Sequence, residues 1–101
     1  MTFDDWAIEL KTVNTNLRYA GVEKKKRPIT RNTQGVIDDV EKLKKTNYKS
    51  KAVLFVAFPA EHTNKKWQRQ LQRISSHLSN IDHKEFNFRN RVPGVIYLGI
   101  I

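Results

Sequence analysis

Apolar and polar positions alternate in the first readable stretch of the chain. Over residues 6–13, Trp6, Ile8, Leu10 and Val13 supply the apolar weight, and the pattern predicts a β-strand. Side chains two apart on a strand point to the same side, roughly 6–7 Å from one another. Glu9 and Lys11 therefore share one face, and Ile8 and Leu10 are expected to pack on the other. Residues 14–29 keep no period and carry Gly21, Pro28 and the run Lys24-Lys25-Lys26-Arg27, which predicts a loop or loose hairpin. The spacing then changes to that of a helix over 33–46. Val36, Ile37, Val40 and Leu43 form its stripe, while Asp38, Asp39, Glu41, Lys42 and Lys44 take the other side. Asn32 or Thr33 is suited to cap its start, and Lys44 and Lys45 suit its negative end.

Residues 52–58, Ala-Val-Leu-Phe-Val-Ala-Phe, are apolar throughout. That pattern predicts a strand buried on both faces, in the middle of a helix-covered sheet. Pro59 ends it. A second helix is predicted over 63–80, with Trp67, Leu71, Ile74 and Leu78 on its stripe. Alternation over 84–89 sets Phe86 and Phe88 to one side and predicts an outer strand. Val95, Ile96, Tyr97, Leu98 and Ile100 make a last strand over 94–101. The order is β-α-β-α-β-β. The first strand, first helix and second strand form a βαβ unit with parallel strands. The class is α/β or α+β with a mixed sheet, in one domain over residues 1–101.

No stretch of 18 apolar residues is present, so no membrane span is expected. The start carries no secretory leader pattern. The chain has no cysteine, which excludes disulfides and thiolate metal sites and suits a cytoplasmic setting. The net charge is +9. Its distribution says more than its size. Between positions 18 and 31 six basic residues (Arg18, Lys24, Lys25, Lys26, Arg27 and Arg31) face one acid, Glu23. Between 62 and 80, Lys65, Lys66, Arg69 and Arg73 face none. The remaining residues carry nine bases and nine acids, so the whole excess sits in two segments. Two concentrated basic patches fit a polyanionic partner, and DNA is expected before RNA. His62, His77 and His83 have no metal-ligand spacing and read as surface residues. Asp38 and Asp39 read as solvated helix positions.

The run Ala7-Ile8-Glu9-Leu10-Lys11-Thr12 resembles the acidic-x-lysine half-motif of the PD-(D/E)xK nuclease superfamily, the restriction-endonuclease-like fold. In that family a helix and then a very apolar strand follow the motif strand, and the predicted elements over 33–46 and 52–58 stand in those places. Many members place a glutamine near the start of that helix, and Gln34 is similar to it. The resemblance covers about residues 6–58. It implies a Mg²⁺- or Mn²⁺-dependent DNA endonuclease. Glu9 and the carbonyl of Leu10 would be metal ligands, Lys11 would hold and help deprotonate the attacking water, and Gln34 would hydrogen-bond water or phosphate.

One part of the family pattern is not met. Members carry a first metal-binding aspartate on the preceding strand, at least ten residues before the motif. Here only Asp4 and Asp5 precede Glu9, where the turn between those strands would lie, and Asp5 is the candidate ligand. The chain reads as though it begins inside that hairpin. The strand over 6–13 is then expected to be partly unpaired, and a homodimer or a larger partner is expected with it. Two further readings stand beside the nuclease. One is a nucleic-acid-binding module that kept the fold and lost the metal site. The other is an interaction domain whose open sheet edge pairs with another chain.

Overall fold

Ile29, Thr33, Val36, Ile37 and Val40 recur on one helical face, and that face builds α1 (Ile29–Lys44). The computed structural model of the chain describes residues 2–3, 5–15, 29–88 and 91–101. α1 starts one turn earlier than the pattern predicts, because Ile29 extends the stripe and packs against the core. Asn32 and Thr33 are therefore inside the helix and not at its cap. Asn32 Nδ2 donates to the Asn14 carbonyl at 2.8 Å, and Thr33 is fully buried.

β1 (Thr2–Phe3) pairs antiparallel with the start of β2 (Trp6–Asn14), Phe3 with Trp6 and Thr2 with Ala7. β2 then runs parallel to β3 (Ser50–Phe58) over nine residue pairs, with α1 as the crossover. Thr15 fastens the far ends of both strands. Its amide donates to the Phe58 carbonyl at 2.9 Å, and its hydroxyl donates to the Pro59 carbonyl. α2 (Lys65–Ser75) begins where Asn64 Oδ1 accepts the Trp67 amide, a side-chain cap on an orphan helix donor. It is shorter than the span 63–80. The chain leaves it at Ser76, and Ser79 already donates to the Ile100 carbonyl to open the next ladder. β4 (Asn80–Asn87) therefore begins earlier than its hydrophobic alternation predicts. It is a polar edge strand held by its ladder to β5 (Pro93–Ile100) rather than by burial.

The strands lie in the order β1-β2-β3-β5-β4, with β2 and β3 parallel and the β3–β5 and β5–β4 pairs antiparallel. This is an α+β fold with a mixed sheet. α1 and α2 pack on one face of it. Val36, Ile37 and Val40 from α1 and Trp67, Leu71 and Ile74 from α2 close on Val13, Val53, Phe55, Ala57, Val95 and Tyr97. Phe55 stacks on Tyr97 at 5.0 Å, and Trp67 Nε1 donates to Tyr97 Oη at 2.7 Å. Gly99 sits beneath Leu78, where a Cβ would come within 2.5 Å of a Leu78 methyl. Leu78 is off the helix but still covers the end of the core.

Two expectations about burial are corrected. β3 is not buried on both faces: Val53, Phe55 and Ala57 are sealed under the helices, but Leu54 and Val56 on the reverse are only half-buried. Ile8 and Leu10 do not pack under a second layer. Leu10 is 50% exposed and Ile8 half-buried. Both differences have one physical source: an apolar strand sequence does not say which of its faces a helix covers. Among the described residues no helix is long and apolar enough to cross a membrane.

Candidate metal and nucleic-acid site

The odd-numbered positions of β2 turn toward the helices. Ala7 and Val13 are buried there, and Glu9 and Lys11 lie between them, each half-buried. The pair therefore sits on the helix-covered face, at the margin of the core. Only Trp6 and Ala7 of β2 pair with β1, and no other described strand pairs with that edge alongside Glu9 and Lys11. Leu10 lies between the two on the opposite face, and Asp5 is an exposed turn residue just before the strand.

Lys11 is not free-standing. Its Nζ lies 2.9 Å from Asp39 Oδ2 on α1. Gly35, one turn earlier on the same helix, lies beside the lysine stem: a Cβ there would stand in ordinary contact, 3.7 Å from Lys11 Cε. The Lys11 side chain is 39% exposed and that of Asp39 16%. Asp39 Oδ2 has no hydrogen-bond partner among the described residues, so the contact is one of charge and not of a well-aligned hydrogen bond. A partly exposed pair of this kind contributes roughly 0–1 kcal/mol, little enough for Lys11 to turn toward an anion. Asp39 is thus corrected from a solvated helix position to Lys11's counter-charge.

Gln34 is exposed and engaged between the helices. Its Nε2 donates to Asp38 Oδ1 at 3.0 Å, and its Oε1 accepts from Arg73 Nη2 at 2.9 Å. The residue thus neighbours the Lys11 site through Gly35 but is spent on bridging α1 to α2. Arg73 also donates to Gln70 Oε1 at 3.0 Å. Lys65, Lys66, Arg69 and Arg73 all lie exposed on α2, away from its Trp67 stripe, and Arg31 is exposed in the first turn of α1. The other basic candidates, Arg18, Lys24, Lys25, Lys26 and Arg27, and with them Asp4, lie outside the described residues.

A second polar cluster escaped the sequence pattern because its members are far apart in the chain. His62 Nδ1 meets Tyr97 Oη at 2.9 Å, and the His62 and His83 rings stack at 3.6 Å. Burial, opposed by the Trp67 hydrogen bond, pushes the Tyr97 hydroxyl up to about 12. Tyr97 therefore keeps its proton. Since Tyr97 already accepts from Trp67, that proton is available to His62 Nδ1, which assigns a neutral imidazole. Burial, and then the charge of His83, holds His62 below its ordinary pKa. His77 Nδ1 lies 2.7 Å from Glu41 Oε1. This hydrogen bond, and then the one from Lys44, holds the Glu41 carboxyl below its ordinary range. His62 and His77 are thus half-buried and partnered rather than surface residues, while His83 is exposed, as expected, and stacks on His62.

The donor chemistry near Lys11 is hard oxygen: the Glu9 carboxylate with backbone carbonyls beside it. That suits Mg²⁺, which keeps several waters and needs only one or two carboxylates. Among the described residues no cluster of three or more His, Cys, Asp or Glu is placed to hold a metal. No protein-family model, no curated protein and no solved structure matches the chain.

Proposed function

We propose that the chain is a metal-dependent DNA endonuclease of the PD-(D/E)xK type, or a derivative of one, acting on phosphodiester bonds. The observation that carries this reading is the placement of Glu9 and Lys11. A carboxylate and an ammonium share one face of β2, beside an open strand edge and under the helix that follows the strand. Glu9, with the Leu10 carbonyl, would hold Mg²⁺ or Mn²⁺, and Asp5 is the remaining candidate ligand. The cation, when bound, polarises the phosphoryl oxygen and lowers the pKa of water. Lys11 holds the attacking water and balances charge that develops on the phosphate. Lys65, Lys66, Arg69 and Arg31 hold the nucleic-acid backbone. Gln34 would hydrogen-bond water or phosphate once released from Arg73. DNA is the expected substrate and RNA the second; a cytoplasmic location fits the absence of cysteine.

A second reading is favoured by a specific observation. The described residues assemble no three-ligand metal cluster, and Lys11 is already paired with Asp39. The fold would then persist as a non-catalytic nucleic-acid-binding domain, with the Lys11–Asp39 pair as a strut between β2 and α1. Cleavage of supercoiled plasmid and of single-stranded DNA with Mg²⁺ or Mn²⁺ separates the two readings. The parent is expected to cleave, and Glu9→Ala and Lys11→Ala, purified identically, are each expected to lose about 10²-fold or more in rate. A parent that binds DNA in a salt-sensitive way and cleaves nothing would leave the binding domain standing and remove the nuclease.

A further inference from the structure

Because α1 and α2 cover one face of the sheet, the register fixes what the other face shows. Leu10, Leu54 and Leu98 align in one row across β2, β3 and β5. Val56 and Ile96 align in the next. Leu98 is 40% and Ile96 37% exposed, as Leu10 is at 50%. The covered face has no such residues. The reverse face is thus a continuous aliphatic surface that no described element covers.

Its chemistry limits the occupant. In a chain of net charge +9, the described strand positions on this face carry one acid, Asp82, opposite Leu98, and one base, Lys84, opposite Ile96. Nothing there grips a phosphate. Its rings at one end are engaged with each other: Phe86 and Phe58 each contact Phe88 edge-on, with centroids 4.9 Å apart. A nucleic acid therefore finds there one lysine offset by one carboxylate, and exposed rings only at the margins, Trp6 and Phe88. A protein surface of the same kind fits, and the nearest such surface is this one.

Geometry supports that occupant. Four strands about 4.8 Å apart and eight residues long at about 3.3 Å each give a face of about 19 by 26 Å, roughly 500 Å² in projection. Two such faces bury about 1,000 Å² in all, near the threshold for a specific interface. A two-fold axis lying between the two rows sets Leu54 over Val56 and Leu98 over Ile96 across the contact. The same axis sets Asp82 over Lys84 twice, so the charges described on the face meet with opposite sign. Sheets packed this way lie about 10 Å apart.

We infer that the reverse face of the sheet is the contact between two copies of the chain, packed sheet on sheet, and distinct from the open edge of β2. Sedimentation equilibrium tests it. The parent is expected to be a dimer. Leu98→Lys, on an exposed position, is expected to be monomeric with an unchanged circular dichroism spectrum. Asp82→Lys is expected to raise the dimer dissociation constant about tenfold, and adding Lys84→Asp to restore it. These two surface variants decide the matter if Leu98→Lys fails to fold. A parent that stays monomeric overturns the inference. So does a dimer indifferent to Leu98→Lys and to the charge swap, which would place the contact at the β2 edge. A monomeric parent whose DNA retention falls with Leu98→Lys would make the face a nucleic-acid surface instead.

Discussion

Lys11 shows how much one residue's partners change its reading. In the sequence it is the lysine of an acidic-x-lysine triplet. In the fold its ammonium rests 2.9 Å from Asp39. Both readings are compatible, because a half-exposed ion pair holds a side chain in place without locking it. The Glu9–Lys11 half of the site was legible in the sequence, because a period of two fixes it. Asp39 was not, because which helix position lies over a strand depends on how the helix is rotated and seated. His62 makes the same point more sharply. Its partners Tyr97 and His83 are brought to it only by the sheet register. Since burial and His83 disfavour its charged form, the unfolded chain takes up the proton first. Stability is therefore expected to be flat above pH 6.5 and to fall as the pH drops through and below that value. By NMR, the His62 imidazole is expected to titrate below 6.5, and to move upward in His83→Asn. A midpoint at or above 6.5 in the parent would refute the buried network.

At the scale of elements, α2 divides its labour between two faces. Trp67, Leu71 and Ile74 are buried against the sheet, and Lys65, Lys66 and Arg69 stand in solvent. The existence of all but one of the strands, and of both helices, followed from apolar periodicity. Their ends did not. α1 gained a turn because Ile29, which follows a proline and a basic run in the sequence, is partly buried against the core. β4 gained its first residues from hydrogen bonds to β5, which leave no trace in a polar sequence such as Asn-Ile-Asp-His. The short β1 was missed because two residues carry no period. Since the basic face of α2 contributes nothing to the core, its charges are separable from stability. Lys65→Ala, Lys66→Ala and Arg69→Ala together are expected to leave thermal unfolding nearly unchanged and to weaken DNA binding. The slope of log affinity against log salt is expected to shrink by about 0.9 for each phosphate no longer neutralised. An unchanged slope in filter binding would place the DNA-binding surface elsewhere. Arg73 is left intact in that test because it holds Gln34.

The described residues present three unlike surfaces. One is a basic helical face. One is the margin of β2, where Lys11 pairs with Asp39 and Glu9 lies on the same face, beside an edge that no described strand covers there. The third is the aliphatic reverse of the sheet. This division follows from both helices lying on one side. As proposed, the first surface meets the polyanion, the second carries the chemistry and the third meets a second copy. The central claim is that the Glu9 face holds a divalent cation. Calorimetric titration of Mn²⁺ into the parent, Glu9→Ala and Lys11→Ala tests it most directly. Binding is expected in the parent, retained in Lys11→Ala and lost in Glu9→Ala with the fold intact. Equal binding in all three, or none in the parent, would contradict it.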